Sequence, residues 1–224
     1  EAEPFDMPDI ERVPGPDGFG DAVRLNGPSP VGFVEMPEGI VSDLDGDFAI
    51  SMWVNRGTTF GQNWTRLFDF GDDTTNHMFL TPSAAAFPNG LRLSLNPSTA
   101  DGQQIPGSSN GQHLPLGWQH VVVTASGTTG AIYLNGELYR TNTDFTLRPA
   151  DLGITTNNWI GRSQYEADAW LNGTVDDFNI FSRALSEEYV QALMAEPGGG
   201  DAVGGGDVAW YRFDEDGGEL VEDS

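Results

Sequence analysis

The stretch that decides the fold is VDDFNIFSRALSEEYVQAL, residues 175–193. Its first part alternates apolar and polar side chains and predicts a strand. Its second part predicts a helix over residues 186–195. Ser186 is a good N-cap, the two glutamates that follow it suit the first turn, and apolar side chains then recur on one face. The chain is therefore expected to pass from a buried strand into one short helix.

Short apolar runs separated by turn residues make up most of the remaining chain. The 29 glycines and 14 prolines lie between these runs without a fixed period, which is typical of all-β proteins. The run FAISMWVN, residues 48–55, alternates two largely apolar sets of side chains, as in a strand buried on both faces. Asn135-Gly136, between two strand-like runs, predicts a hairpin turn. A length of 224 residues suits one large β-sandwich.

The composition is strongly acidic. Asp and Glu number 34 against 10 basic residues, all of them Arg, and the formal net charge is −24. Such a surface repels phosphate backbones and anionic lipid, so no nucleic-acid partner is expected. A halophilic source and a GC-rich genome that replaces Lys with Arg both stay open as explanations. The chain has no cysteine for disulfides or thiol chemistry. It also has no apolar run near the roughly 18 residues of a spanning helix, so membrane insertion is not expected.

Composition divides the chain into three parts. Residues 1–196 carry the signals of the sandwich, and residues 197–207 (PGGGDAVGGGD) form a flexible linker by composition. Residues 208–224 begin with the strand-like run VAWYRF, residues 208–213, and end in an acidic tail. We expect this last strand to reach its place in a sheet through the linker.

The order of these runs resembles the laminin-G-like, concanavalin A-like jelly-roll domains that are attached to secreted glycoside hydrolases. The resemblance covers residues 19–193 and rests on the runs FAISMWV, RLFDFG, GWQHVVVTASGTTGAIYLNGELY, NNWIGRSQY and LNGTVDDFNIFSRALS. It implies an all-β, two-sheet antiparallel jelly-roll sandwich with no catalysis by the module itself. It also implies a structural Ca²⁺ ion, a glycan or extracellular protein as partner, and a secreted or cell-surface location.

The chain departs from the family pattern at its ends. Family members usually open with an apolar and aromatic strand and an Asp-Ser-Ser-Gly-Asn-Gly type loop, and here residues 208–224 carry that pattern. Three interpretations stay open: the strand fills its own sheet, it begins a second, truncated repeat, or it completes the sheet of another subunit. The third would join identical subunits head to tail through residues 208–213, as in a self-assembling filament.

A calcium site is the first candidate for chemistry. Strand alternation predicts that Asp176 points the same way as Phe178 and Ile180, into the sandwich, where a carboxylate needs a cation or several donors. Calcium prefers oxygen ligands. The resemblance implies that this aspartate meets groups of the opening loop at a metal, which by position gives Asp176, Asp223 and Asn26 as ligands. A solvated acidic rim at the start of the strand is the alternative.

A glycan site is the second candidate, because sugars are bound by an exposed aromatic ring together with planar hydrogen-bonding groups. Arg162, Gln164, Tyr165 and Asp168, with Trp170, form one such cluster in a predicted loop. Ordinary loop structure is the alternative interpretation of these residues.

A second set of glycan-binding candidates lies earlier in the chain, in residues 63–77. It consists of Trp64, Arg66, Asp69 and Asn76. The alternative is that Arg66 and Asp69 form an internal ion pair.

No catalytic arrangement is apparent from the sequence. The three histidines lack metal-ligand spacing, and no nucleophile elbow is present, so the chain is not expected to be an enzyme. Two sequons, at Asn63 and Asn172, would carry glycans only in an archaeal or eukaryotic secreted protein. The sequence therefore predicts a secreted, non-catalytic module that binds a glycan or an extracellular protein, with head-to-tail assembly through residues 208–213 as the alternative.

Overall fold

A computed structural model describes most of the chain. The described residues are 11–26, 32–57, 63–85, 90–107, 113–196 and 207–213. Within these ranges no helix is long and apolar enough to cross a membrane.

Two antiparallel sheets form a jelly-roll sandwich, which confirms the predicted fold class. The larger sheet has the order β1 (Glu11–Pro14), β2 (Asp21–Asn26), β13 (Asn172–Phe181), β4 (Phe48–Arg56), β9 (Gly117–Ser126), β10 (Thr129–Leu134) and β11 (Glu137–Asn142), with β14 (Ala209–Tyr211) also paired to β13. The smaller sheet has the order β3 (Val34–Met36), β12 (Asn157–Ile160), β5 (Phe68–Asp73), β6 (Asn76–Ala84), β7 (Gly90–Asn96) and β8 (Gln103–Ile105).

The core lies between the sheets and is rich in aromatic side chains. Phe68 and Phe70 of β5 both contact Phe178 of β13 edge to face, with ring centroids 6.2 and 6.3 Å apart. All three rings are fully buried. Such edge-to-face pairs add to the hydrophobic stabilisation that comes from burial. Because β5 places its even-numbered residues in the core, Asp69 lies on the outer face of the smaller sheet.

The predicted helix is α1 (Glu187–Ala195), and the Ser186 hydroxyl accepts a hydrogen bond from the Tyr189 amide as its N-cap. Its apolar face packs on the outer face of the larger sheet, where Val190 and Leu193 contact a small buried cluster. The helix therefore covers the side of the sheet that faces away from the sandwich core.

The predicted hairpin is also confirmed. It joins β10 to β11 through Asn135 and Gly136, which have φ angles of 52° and 80°. Positive φ at both positions is what a type I′ turn requires. Asn135 has a second role, since its side-chain oxygen accepts a hydrogen bond from the His120 amide.

One edge of β13 is shared between two strands. Residues 172–175 of β13 pair with β2, and residues 178–180 pair with β14 of the same chain. A bulge at Asp177, whose φ is 45°, separates the two halves. The strand from the C-terminal part of the chain therefore completes an edge that β2 fills only in part.

Contacts at both ends hold β14 in place. Asp207 accepts hydrogen bonds from the amide and hydroxyl of Ser182 and forms an ion pair with Arg183 at 3.1 Å. At the other end, Arg12 donates to the carbonyl of Phe213. The linker from residue 197 to 206 and the tail from 214 to 224 lie outside the described residues, and exchange of β14 between chains stays a prediction.

The direction predicted for Asp176 is wrong. Asp176 is the cross-strand partner of Trp53, and both lie on the outer face of the larger sheet, whereas Val175, Phe178 and Ile180 face the core. The cause is the bulge at Asp177, since one extra residue in a strand reverses the alternation beyond it.

Asp176 is nevertheless fully buried. The loop between β1 and β2 covers it, and a side-chain carbon added to Gly15 of that loop would lie 2.5 Å from the Asp176 carboxylate. Phe19 of the same loop packs edge to face on Trp53, with centroids 5.3 Å apart. A glycine is therefore needed where the loop backbone passes over the carboxylate.

Candidate functional site

A loop of residues 161–170 lies on the outer face of the smaller sheet. It leaves β12 at Gly161, whose φ of 90° belongs to the region that favours glycine. The amide of Leu171 donates to the carbonyl of Gly161 at 2.8 Å, which ties the two ends of the loop together. The amide of Gln164 donates to Asp69 on β5 at 3.1 Å and so fixes the middle of the loop to the sheet.

A buried arginine joins the two predicted glycan clusters into one network. The Arg66 side chain is only 2% exposed, its Nε donates to Asp69 at 3.0 Å, and its guanidinium forms an ion pair with Asp168 of the loop, also at 3.0 Å. The guanidinium lies 3.9 Å above the centre of the Phe79 ring. Arg66 and Asp69 therefore form the internal ion pair that was the alternative interpretation, with a second carboxylate added.

The polar side chains of the loop are engaged within the protein. Gln164 exchanges two hydrogen bonds with Asn157: it donates to the backbone carbonyl and accepts from the side-chain amide. Asp168 accepts a hydrogen bond from the Ser163 hydroxyl in addition to its ion pair. These two predicted ligand-binding residues hold the loop in its conformation.

Asn76 is likewise a structural residue. Its amide donates to the Leu152 carbonyl and to Asp72, each at 2.9 Å, and its side-chain oxygen accepts from the Ser98 amide. Through these three hydrogen bonds, Asn76 joins separate parts of the chain at one end of the smaller sheet.

Tyr165 is the exposed member of the predicted cluster. The residue is 42% exposed. Its hydroxyl donates to the Thr74 carbonyl at 3.1 Å, and its amide donates to the Ser163 hydroxyl. The ring is tilted against the ring of buried His77, with centroids 5.7 Å apart. The structure thus presents an aromatic ring that is fixed at both its backbone and its hydroxyl end.

Trp64 does not join this network through its ring. It has a φ of 65°, its amide donates to the Ser83 carbonyl, and its ring lies 5.6 Å from the Arg92 guanidinium. The Ser83 hydroxyl lies 2.8 Å from both the Asn63 side-chain oxygen and the His113 ring nitrogen. Sequence reasoning missed Ser83 and His113, because no local motif links them to residue 64.

Burial shifts the pKa values of two groups beneath the loop in opposite senses. It raises the pKa of Asp69 to about 7, against the lowering effects of Arg66 and the Gln164 amide. Burial, together with the nearby Arg66 charge, lowers the pKa of His77 to about 4. The two side chains face each other at 3.7 Å. The pKa of Asp69 is raised because burial outweighs the lowering effects of its hydrogen bonds and of the Arg66 charge.

Asp69→Asn is expected to change how stability depends on pH. The unfolded pKa is about 3.9, so between about pH 4 and 7 the folded protein holds a proton that the unfolded chain has lost. The contribution of Asp69 to stability therefore falls as the pH rises through this window, by up to about 1.4 kcal/mol per unit. Urea unfolding from pH 4.5 to 7.5 should show the wild type losing stability relative to D69N. Parallel curves for the two proteins would contradict the assignment.

The predicted calcium site involves Asp176, Asn26 and Asp223. No group of three or more His, Asp or Glu side chains in the described part of the chain is placed to hold a metal ion. Asn26 pairs with Asn172, and Asp176 lies about 13 Å further along β13 at roughly 3.3 Å per residue. Asp223 lies outside the described residues, and calcium stays a prediction.

Both sequon asparagines are exposed. Asn172 begins β13, and Asn63 precedes Trp64 in a turn. Use of either as a glycosylation site stays a prediction.

Comparison with protein families identifies the superfamily to which the fold belongs. The model of the concanavalin A-like lectin/glucanases superfamily matches residues 31–191. The chain belongs to this superfamily. A comparison with curated proteins found no match. The family supports the two-sheet jelly roll described above and accounts for the predicted resemblance.

Solved structures of this fold include several binding domains. One is domain 4 of AbnA, a GH43 extracellular arabinanase from Geobacillus stearothermophilus, in complex with arabinotriose. It is 21% identical, with a TM-score of 0.62, and the match covers 83% of this chain and 81% of that one. Another is the binding domain of Paraclostridial Mosquitocidal Protein 1, with 21% identity, a TM-score of 0.61 and coverage of 84% and 46%. The CBM40 of Ruminococcus gnavus IT-sialidase, bound to α2,3-sialyllactose, has 16% identity, a TM-score of 0.51 and coverage of 76% and 97%. At these identities, the likeness shows the shared fold.

Proposed function

We propose that this chain is a non-catalytic glycan-binding module, secreted or displayed at the cell surface, with Tyr165 as the aromatic platform. The observation that carries the proposal is the 42% exposure of Tyr165 above a buried charge network. An amphipathic ring held in place before binding loses little conformational entropy when a ligand stacks on it. Tyr165 meets both conditions, since hydrogen bonds fix its hydroxyl and its amide.

Two structures of the same fold contain a bound glycan, arabinotriose in one and sialyllactose in the other. They support a glycan as the ligand of this chain, and the extracellular arabinanase supports an extracellular setting. A non-catalytic role is supported by the state of the two carboxylates in the Arg66 network. Asp69 and Asp168 are both engaged by Arg66, whereas a glycosidase needs a carboxylate pair that reaches the sugar.

Tyr165→Ala is expected to weaken glycan binding by about tenfold or more, because loss of a hot-spot aromatic contact costs about 2 kcal/mol or more and tenfold corresponds to about 1.4 kcal/mol. A glycan array would identify a ligand for the full chain, and calorimetry would then give its affinity for each variant. Leu138→Ala is the matched control, since Leu138 is 52% exposed on β11 of the other sheet. An equal affinity of Y165A and L138A would contradict the platform. An array without any hit would contradict the function.

A further inference from the structure

Arg162 occupies an unusual place at the start of the same loop. Its guanidinium carbon lies 4.1 Å from the centre of the Trp159 ring, 4.7 Å from Phe33 and 5.3 Å from Trp170. The three rings come from β12, from the segment before β3, and from the end of the loop. Stacking on aromatic faces fixes the plane of a guanidinium without using any of its five N–H donors.

Most of the other arginines differ from Arg162 because they contact an oxygen atom of the protein. Seven of them contact a protein oxygen within the described residues: Arg12, Arg24, Arg56, Arg66, Arg140, Arg148 and Arg183. Arg162 has ring contacts but, among the described residues, no hydrogen bond or ion pair to an oxygen. This holds although the chain has 34 acidic residues that could supply one. The donors of Arg162 are therefore available to a ligand.

Two residues next to Arg162 also leave its surroundings, in the described ranges, rich in hydrogen-bond donors and free of a paired carboxylate. The indole N–H of Trp159, which is buried beneath Arg162, also has no acceptor within the part of the chain that the structure describes. Glu35 lies opposite Trp159 on β3 and is exposed, yet it forms no ion pair with Arg162. An acceptor that approaches Arg162 from solvent therefore displaces no carboxylate of the described residues.

We infer that Arg162 binds the carboxylate of an acidic sugar, either a uronic acid or a sialic acid. A planar guanidinium matches a carboxylate with two parallel hydrogen bonds, which a neutral hydroxyl group cannot reproduce. The net charge of −24 repels an anionic glycan at long range, but salt screens that repulsion beyond about 8–10 Å, and the contact pair is screened less. This inference rests on the proposed function and names its ligand class.

The position of Arg162 relative to Tyr165 suits an oligosaccharide. Arg162 lies over Trp159 on β12, and Tyr165 lies beside His77 on β6, with β5 between the two strands. Neighbouring strands are about 4.8 Å apart, so the two sites are separated by about 10 Å. One sugar ring on Tyr165 and an acidic neighbour at Arg162 would occupy both.

The test compares each acidic glycan with its own methyl ester, which keeps the sugar and removes the charge. Calorimetry on the full chain at one fixed ionic strength would use an oligogalacturonate and a sialyllactose. At least one acid should bind about tenfold tighter than its ester, as expected for hydrogen bonds to a charged group. Arg162→Gln should abolish the preference, and Arg162→Lys should keep only part of it. Arg140→Gln should retain the preference in full, since Arg140 stacks on Tyr139 of the other sheet.

The outcomes separate the two proposals. If neutral glycans bind in a way that depends on Tyr165, while acid and ester bind alike, the carboxylate site is wrong and the glycan-binding function stands. Retention of the acid preference by R162Q would equally overturn the assignment to Arg162. If no glycan binds, whether acidic or neutral, both proposals fall together. Circular dichroism of R162Q and R162K would establish that each variant is folded before binding is compared.

Discussion

Replacing Arg66 with alanine is expected to destabilise the domain by about 3–5 kcal/mol, as when one partner of a buried ion pair is removed. Arg66 is the cation that Asp69 and Asp168 share at 3.0 Å each, and the Asp69 side chain is fully buried. Without Arg66, Asp69 would carry an uncompensated charge in the protein interior or would have to take up a proton. The free energy of unfolding in urea at pH 7.5 measures this loss.

The control for Arg66→Ala is Arg24→Ala. Arg24 and Glu11 form an ion pair at 3.7 Å with both side chains about half exposed, and such surface pairs contribute about 0–1 kcal/mol. The charge change is the same in both variants, so the difference between them reports the burial of Arg66. The loss in R66A should also be smaller at pH 5, where Asp69 is protonated more readily. A loss below about 1 kcal/mol at pH 7.5 would show that the network is not structurally important.

The architecture could be predicted because its signals are local. Each confirmed element carries its cause within a few residues: Ser186 before the helix, Asn135-Gly136 at the hairpin, and the alternation of residues 48–55 in a central strand. Such patterns depend on backbone geometry and on the division between core and solvent. They do not depend on which distant segment packs against them.

The direction of Asp176 could not be predicted because a bulge has no clear sequence signal here. Asp177 adopts a left-handed φ of 45°, and this single residue turns Asp176 toward Trp53 instead of the core. The prediction grouped Asp176 with Phe178 and Ile180 on one face. That grouping assumes that β13 pairs with β4 without a bulge. The prediction of a cation at Asp176 depended on that grouping, because it assumed a carboxylate that faces the core.

Predicting the candidate site required both local patterns and knowledge of which distant segments lie next to each other. The sequence identified Arg66 and Asp168 as members of two separate candidate clusters, but their contact depends on β5 and β12 being neighbours in the sheet. Sequence also cannot show whether a polar group is already engaged within the protein, and this separates Gln164 from Arg162. Phe33, which completes the aromatic surroundings of Arg162, comes from the segment before β3 and had no motif to mark it.

Phe213→Ala tests whether β14 belongs to the sandwich of its own chain. Phe213 is only 4% exposed and belongs to the main core cluster, together with Ala209. Removing a buried phenylalanine ring costs about 3–5 kcal/mol, so a similar loss of unfolding free energy is expected. Phe213 has a φ of 60°, which is strained for any residue with a side-chain carbon. Alanine keeps that strain, so the comparison isolates the packing of the ring.

Arg212→Ala is the neighbouring control, because Arg212 is exposed and its loss should cost less than about 1 kcal/mol. Urea unfolding at several protein concentrations, with the mass measured by light scattering, separates the two arrangements of β14. A strand paired within its own chain gives a monomer whose midpoint does not depend on concentration. A strand exchanged between chains makes the midpoint rise with concentration. In that case Phe213→Ala would weaken association as well as stability, and the pairing of β14 with β13 would join two subunits instead of closing one.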